Sequence, residues 1–148
     1  MSKPESLPLS VTHEVRDTCL CLHAQRAARA LARRFDEALA PVQVTNGQFS
    51  LLVSLNRPVP PPLGAVAALL AMDRTTLTAN LKPLERRGLV KIAIDPNDRR
   101  SRLLVLTKAG RRLLEKALPI WRSTHRTLDR AFSRAELDAL RTGLLAIS

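Results

Sequence analysis

The sequence predicts a mainly α-helical fold with a small β-hairpin, arranged as a winged helix-turn-helix core between long N- and C-terminal helices. Three observations predict it. Long stretches without Pro or Gly carry apolar residues at helical spacing, two short helical segments are separated by only a few residues, and two β-rich segments flank the turn sequence Asp-Pro-Asn-Asp. The length of 148 residues and the 45% hydrophobic content suit one domain with its own core.

The N-terminal part divides at about residue 12. Residues 1–12 are polar and contain Pro4 and Pro8, so we expect a flexible arm there. From residue 13 to residue 40 there is no Pro or Gly, and apolar residues recur at helical spacing until Pro41. This pattern predicts one long first helix over 13–40.

The central part has clear helix boundaries. Thr45 and Gln48 form a capping-box pattern, in which each side chain pairs with an orphan backbone N–H, and they predict the start of a second helix. A short apolar helix over 63–70 follows. Asp73 is a suitable N-cap for the next helix, and Gly88 is a suitable C-terminal residue for it. Two helices joined by such a tight connection indicate a helix-turn-helix.

The C-terminal part begins with a hairpin. Segments 89–94 and 102–106 are rich in β-favouring residues, and turn-forming residues separate them. Thr107 is expected to cap a long helix, and the Ser133 to Glu136 pattern predicts a second capping box that begins the last helix. Each of these helices has an apolar side.

The element order predicts a single domain over 13–148 with two kinds of part. Residues 45–107 would form the winged core, and the flanking helices, 13–40 and 108–148, would carry apolar stripes that so small a core cannot cover. We therefore expect the flanking helices to pair with a second copy of the chain as an obligate homodimer.

The charge points to a polyanionic partner. The formal net charge is +11, and residues 73–112 hold eleven Lys or Arg against four acids, which places +7 of that charge around the polar helix and the hairpin. No apolar run is long enough to span a membrane, and the N-terminus lacks a signal-peptide core. Two cysteines suit a reducing compartment, so the expected location is the cytoplasm, with no membrane partner.

The helix that begins after Asp73 is suited to the major groove of duplex DNA. Groove-reading side chains must be short and must offer hydrogen-bond donors or acceptors, while the leucines between them seat the helix on the core. The residues expected to contact DNA from this helix are Arg74, Thr75, Thr76, Thr78, Asn80, Lys82 and Arg86. The alternative is that the threonines only cap the helix or face solvent, and that Arg86 is a phosphate contact or a solubilising charge.

The hairpin tip is also basic. Asp98, Arg99, Arg100 and Arg102 lie within five residues of one another. A guanidinium is favoured in the strongly negative potential of a narrow minor groove. The hairpin is therefore expected to bind DNA as a wing, and the alternative is an exposed basic turn without a partner.

In these segments the chain resembles the MarR (multiple antibiotic resistance regulator) family of winged helix-turn-helix transcription factors. The resemblance rests on the sequences at 73–78, 84–90, 98–100 and 106–110, in this order and spacing. It implies a two-fold dimer whose winged cores meet successive major grooves of a pseudo-palindrome, with Arg100 in or beside the minor groove and Asp98 holding the wing in shape. It also implies control by small ligands, often aromatic or phenolic anions, or by cysteine oxidation.

Cys19 and Cys21 are the candidate redox residues. Two positions apart on one continuous helix, they would point about 200° apart and could not readily bond to each other. Cys19 falls on the apolar stripe and suits packing, whereas Cys21 lies where the resemblance places the cysteine of the family's hydroperoxide-sensing branch. That branch relies on tyrosines, and this chain has none. A structural or incidental thiol is the alternative.

Candidate ligand-binding residues come from the first, second and fifth predicted helices, and they are Arg16, His23, Arg26, Phe49 and Trp121. Either arginine could pair with an anionic ligand. The histidines show no spacing typical of a metal site, although Cys19 and His23 share an i, i+4 relationship. Core packing for Trp121 and a surface role for His23 are the alternatives.

These patterns favour a homodimeric, sequence-specific DNA-binding regulator, a repressor released from its operator by a small aromatic or anionic effector. The alternatives are a cysteine-based redox-sensing regulator on the same fold and a sequence-indifferent architectural DNA-binding protein. The sequence shows no nucleophile with its base, no paired carboxylates and no phosphate-binding glycine loop, so we expect no enzymatic activity, cofactor or metal.

Overall fold

The computed structural model describes residues 6–148 as seven α-helices and one antiparallel hairpin. The helices are α1 (Leu9–Thr18), α2 (Leu20–Leu39), α3 (Asn46–Ser54), α4 (Leu63–Leu69), α5 (Arg74–Arg86), α6 (Lys108–Asp129) and α7 (Arg134–Ala146). A 3₁₀ turn, Ala40–Val42, follows α2, and the strands are β1 (Val90–Asp95) and β2 (Asp98–Leu106). The mainly helical winged architecture is confirmed.

The N-terminal prediction was wrong in two respects. The first helix begins at Leu9, after Pro8, rather than at residue 13, and residues 1–5 of the expected arm lie outside the described part. The helix is also interrupted at Cys19, whose ψ of 109° is extended rather than helical. The single long helix that was predicted is therefore two helices, α1 and α2.

The interruption at Cys19 has a local cause. In a continuous helix the N–H of Leu22 would donate to the carbonyl of Thr18. Here it donates to the Sγ of Cys19 at 3.4 Å, so the thiol acts as the N-cap of α2. The Thr18 hydroxyl donates back to the Glu14 carbonyl at 2.7 Å, a bond that helps to close α1.

Four predicted caps are confirmed. Thr45 and Ser133 form complete capping boxes, while Asp73 and Thr107 accept the N–H three residues on. Gly88 adopts a φ of +71°, and the bonds Gly88 N–H to Glu85 and Leu89 N–H to Leu84 form a Schellman motif at the end of α5. The sequence placed these boundaries well because each cap is a bond between near neighbours.

The hairpin differs from expectation at its tip. The antiparallel register of β1 and β2 pairs Val90 with Leu106 and Ile94 with Arg102. It then shifts, so that Asp95 pairs with Asp98. The second strand therefore begins at Asp98, not at residue 102, and the basic residues lie on an irregular strand. Pro62 forms an isolated bridge with Leu103 beside it, which fixes the hairpin against the start of α4.

The core lies within the winged part, at the C-terminal end of α2 and at the inner face of α6. Its fully buried members include Leu52, Leu77, Leu81 and Leu104. In contrast, α1 and α7 bury no residue in the single chain. Across residues 6–148 no helix combines the length and apolar character that crossing a bilayer requires.

Candidate nucleic-acid interface

Helix α5 exposes polar residues because its leucines bury the opposite side. Leu77, Leu81 and Leu84 are wholly inaccessible to solvent. By helical spacing, Thr75 and Lys82 lie opposite them. The predicted contact residues on this helix, Arg74, Thr75, Thr76, Thr78, Asn80, Lys82 and Arg86, are all exposed.

The first turn of α5 is held by Asp73. Its carboxylate accepts the N–H of Thr76 at 2.7 Å and the Thr76 hydroxyl at 2.9 Å. Both hydrogen bonds stabilise the charged carboxylate and hold the pKa of Asp73 below its usual value, and the bond from the Thr76 N–H has the larger effect. The Thr78 hydroxyl donates to the Arg74 carbonyl at 2.8 Å, so its oxygen remains an outward acceptor.

Asn80 keeps its amide available. Its Nδ2 makes only a long contact of 3.7 Å with the Sδ of Met72. An amide with no strong partner on an exposed helix face is suited to a base edge.

Pro83 lies inside α5, where it removes one helical hydrogen bond.

The wing has an internal scaffold of its own. The Asp98 carboxylate accepts the Arg100 N–H at 3.0 Å, which holds the backbone at the hairpin tip. Arg102 turns back on its own strand, donating to the carbonyls of Arg99 at 3.0 Å and Ser101 at 3.2 Å. In this structure Arg102 therefore braces the wing, whereas Arg99 and Arg100 make no side-chain hydrogen bond among the described residues.

One groove joins the helix to the wing. Its lining includes Arg74 and Thr78 from α5, Asp98, Arg100 and Arg102 from β2, and the start of α4. The structure thus brings together five residues that are up to 28 positions apart in the sequence. The other predicted contact residues are exposed but do not line this groove.

Gly64 is a participant that the sequence did not indicate. A Cβ at this position would lie 2.9 Å from the Nη2 of Arg74, so the guanidinium packs against the bare backbone of α4. Nothing in the sequence pattern marks this glycine, because the contact is made between two different helices. It positions Arg74 at the edge of the groove.

Within the single chain, the candidate ligand residues do not line one cavity. Phe49 is 6% exposed and stacks on Trp121 with ring centroids 6.1 Å apart. His125 joins them at 4.4 Å from Trp121. A cavity between α3 and α6, of about 310 Å³, has Phe49 in its wall.

The other three candidates lie elsewhere. Arg16 is on α1 and forms an ion pair with Asp17 at 2.6 Å. His23 and Arg26 line an exposed groove on α2. The Nδ1 of His23 forms a hydrogen bond with the Cys19 carbonyl oxygen at 2.7 Å. In the single chain, Arg16, His23 and Arg26 therefore do not line the cavity that has Phe49 in its wall.

The cysteine prediction also rested on one continuous helix, and that premise was wrong. Cys19 is the extended residue at the break and is half-buried, while Cys21 is exposed and accepts a hydrogen bond from the Gln25 amide at 3.1 Å. Within residues 6–148, no group of three His, Cys, Asp or Glu side chains could hold a metal ion.

Similarity to known proteins agrees with this geometry. Residues 44–101 match the model of the MarR family. The activatory protein BadR of Rhodopseudomonas palustris is 33% identical over 61% of this chain, which spans 53% of that relative's length. The transcriptional repressor NicR of Pseudomonas putida is 31% identical over 78% of this chain and 73% of its own.

Solved structures show the same fold. The regulator MosR of Mycobacterium tuberculosis in complex with DNA has a TM-score of 0.75 and 35% identity, covering 86% of this chain and 96% of its own. BpsR of Bordetella bronchiseptica, described as regulated in DNA binding by 6-hydroxynicotinic acid, has a TM-score of 0.79 and 25% identity over 88% and 93% of the chains. These relatives are transcriptional regulators rather than enzymes, and the chain belongs to the MarR family of winged helix-turn-helix transcriptional regulators.

Proposed function

We infer that the chain is a homodimeric, sequence-specific DNA-binding regulator, a repressor that leaves a pseudo-palindromic operator when a small aromatic or anionic ligand binds. The observation that carries this proposal is the groove shared by α5 and the wing, because it aligns Arg74 and Thr78 with Arg100 on one exposed surface. A helix and a wing that face the same way can contact adjacent grooves of one duplex.

In this proposal the two parts of the interface have different tasks. Thr75, Thr76, Thr78, Asn80 and Lys82 read base edges in the major groove, and Arg100 enters the minor groove beside it. Of the remaining predicted contacts, Arg74, Arg86 and Arg99 bind phosphates, while Asp98 and Arg102 hold the wing in shape.

Binding selectivity tests the proposal against a sequence-indifferent architectural role. Duplexes selected from genomic DNA should bind several hundredfold more tightly than random duplexes at the same salt concentration. Nearly equal affinity for all duplexes, with a steep salt dependence, would instead support the architectural alternative.

The dimer is supported by apolar surface at the chain ends. On α7, Leu140, Leu144 and Leu145 are 49%, 47% and 77% exposed, and on α1 Val15 is 51% exposed. The groove between α2 and α7 is lined almost entirely by apolar atoms. A second copy would remove this surface from water, which favours association.

Sedimentation tests the dimer directly. We expect the wild-type chain to sediment as a dimer and the Leu140→Lys/Leu144→Lys variant to dissociate. Leu69→Lys is the matched control, since Leu69 is 59% exposed on α4, outside the flanking helices. A monomeric wild-type chain would contradict the proposal.

The effector is proposed to bind beside the aromatic cluster of Phe49 and Trp121. The cavity there is bounded by α3, which belongs to the winged core, and by α6, which leads to the proposed dimer helices. A ligand affects DNA binding only if it prefers one arrangement of these parts. Aromatic acids and their thioesters are therefore to be screened by thermal shift, and hits should weaken operator binding.

A thiol switch is the second candidate, supported by the exposed position of Cys21 and its hydrogen bond from Gln25. An organic hydroperoxide would oxidise the thiol to a sulfenic acid and be reduced to the alcohol. Release of DNA by the peroxide should then be lost in Cys21→Ser. Unchanged release in that variant would exclude Cys21 as the sensor.

A further inference from the structure

A second cleft, of about 370 Å³, lies where the 3₁₀ turn, the end of α5 and the first half of α6 meet. Val42, Leu89 and Leu113 form its apolar floor. Arg87, Arg112 and Lys116 stand at its rim. It shares no lining residue with the groove between α5 and the wing or with the cavity beside Phe49.

The rim is positively charged, and acidic side chains do not neutralise its charge. No Asp or Glu lines the cleft. In the described part of the chain, only Arg16 and Arg141 have a carboxylate within 4.0 Å, so the three rim cations form no ion pair there. Three cations around an apolar floor are complementary to an anion that has an apolar body.

One of the three cations is already held in place. The Nη1 of Arg87 donates to the carbonyl of Gln43 at 2.6 Å. Gln43 has a left-handed φ of 58° at the end of the 3₁₀ turn, and its carbonyl accepts this bond across 44 positions of sequence. The bond occupies one nitrogen of the guanidinium and leaves the others free. An ordered donor loses less conformational entropy when it binds a ligand.

The other two cations come from one face of α6. Arg112 and Lys116 are four residues apart, which places their side chains one above the other along the helix. Leu113, between them in sequence, contributes to the floor. The cleft thus presents charge on its rim and apolar surface beneath.

We propose that this cleft is a binding site for a small organic monoanion with a flat apolar body, such as an aromatic carboxylate. The carboxylate lies among Arg87, Arg112 and Lys116, and the ring lies on Val42, Leu89 and Leu113. The proposal goes beyond the function inferred above, because it concerns a different cavity and requires neither DNA nor an operator.

Calorimetric titration of the full chain without DNA tests the site. The probes are 2-naphthoate and its neutral isostere 2-naphthamide, which has the same body without the charge. We expect 2-naphthoate to bind at least ten-fold more tightly than the amide. The Arg112→Gln/Lys116→Gln variant should lose at least ten-fold in naphthoate affinity.

The matched control is Arg122→Gln/Arg126→Gln, which removes the same net charge from exposed positions farther along α6. It should bind 2-naphthoate as the wild type does, and both variants should show the wild-type circular dichroism spectrum. If the control loses as much affinity as the cleft variant, net charge alone explains the binding and the proposal is wrong.

Three other results would overturn the site. One is the absence of naphthoate binding at millimolar concentration, and another is equal affinity for the amide. The third is displacement of naphthoate by inorganic phosphate that binds with the same affinity. That result would show that the cleft recognises the charge and not the apolar body. Loss of affinity for random duplexes in the cleft variant, without any naphthoate binding, would make the cleft a nucleic-acid phosphate contact instead.

Discussion

The hydroxyl of Thr107 donates to the carbonyl of Gly88 at 2.6 Å. This hydrogen bond joins the N-cap residue of α6 to the glycine of the Schellman motif that follows α5. The hydroxyl oxygen of Thr107 also accepts the Gly110 N–H at 3.0 Å, while the Thr107 N–H donates to the Leu89 carbonyl at 3.2 Å. One side chain therefore caps the long helix and fixes its start to the base of the wing. This junction connects the proposed DNA-binding surface to the helix that leads to the proposed dimer interface.

Thr107→Ala should destabilise the fold by about 1–2 kcal/mol, because it removes a helix cap together with the bond to Gly88. The measurement is urea denaturation of the variant and the wild type at matched protein concentration. Thr107→Ser keeps the hydroxyl and should recover most of the loss. An unaffected Ala variant would mean that water replaces both bonds.

Gly110→Ala should also be destabilising, by about 1–3 kcal/mol, because a Cβ at Gly110 would overlap the carbonyl of Leu89. It would also lie 2.7 Å from the Cδ1 of Leu106. Gly47→Ala is the matched control in α3, since a Cβ there meets only the Thr45 hydroxyl oxygen at 4.0 Å. Equal thermal midpoints for the two variants would show that the junction can open to admit a methyl group.

Arg100→Ala should weaken operator binding roughly ten-fold while leaving the dimer folded, because the variant removes the cation proposed for the minor groove. Gel-shift titration measures the affinity, and sedimentation checks the assembly. Arg122→Ala, an exposed arginine on α6, removes the same charge and should cost much less. Wild-type affinity for the Arg100 variant would show that the wing does not contact DNA.

Thr76→Ala and Asn80→Ala should change base preference more than they change binding to random DNA, because both side chains offer polar groups on the exposed side of α5. Competition against operators altered one base pair at a time gives the preference. Arg86→Ala provides the contrast, since a phosphate contact should weaken all duplexes alike. Equal losses on operator and random DNA would make Thr76 and Asn80 positioning contacts only.

Asp73 should make stability depend on pH in the acidic range. Because the hydrogen bonds from Thr76 lower the pKa of Asp73 in the folded chain below its ordinary value of 3.8, the stabilisation is present above that value and is lost as the pH falls through the lower folded pKa. Asp73→Asn retains a capping oxygen without the charge. The difference in thermal midpoint between wild type and variant should therefore shrink or reverse below pH 3.8, and a constant difference would contradict the assignment.

Prediction from the sequence succeeded at helix caps formed by Thr, Asp and Ser, and it failed at the Cys19 break and at the start of β2. The caps at Thr45, Asp73, Thr107 and Ser133 each join residues three positions apart, so their side-chain chemistry is legible in the sequence. The break at Cys19 was missed because a thiol is an uncommon cap and the surrounding apolar spacing continues through it. The early start of β2 was missed because strand pairing with Asp95 overrides the turn-forming character of Asp98.

The candidate ligand residues show a different limit, which is set by contacts between helices. The sequence named Phe49 and Trp121 as candidates for one pocket, and the structure places their rings together. Spacing could not say that Arg16 pairs with its neighbour Asp17 on a separate helix. A shared pocket depends on how three helices cross, and periodicity within each helix carries no information on that.

By itself, the sequence determined the element order from α3 onward, the helix boundaries within the winged core and the concentration of charge around α5 and the hairpin, because these follow from local hydrogen bonding and composition. Only the tertiary structure decided that Arg74 and Arg100 line one groove, that Thr107 holds Gly88 and that Arg87 reaches Gln43. Those relationships join residues 19 to 44 positions apart, and they form only when packing of the buried leucines brings distant segments into contact.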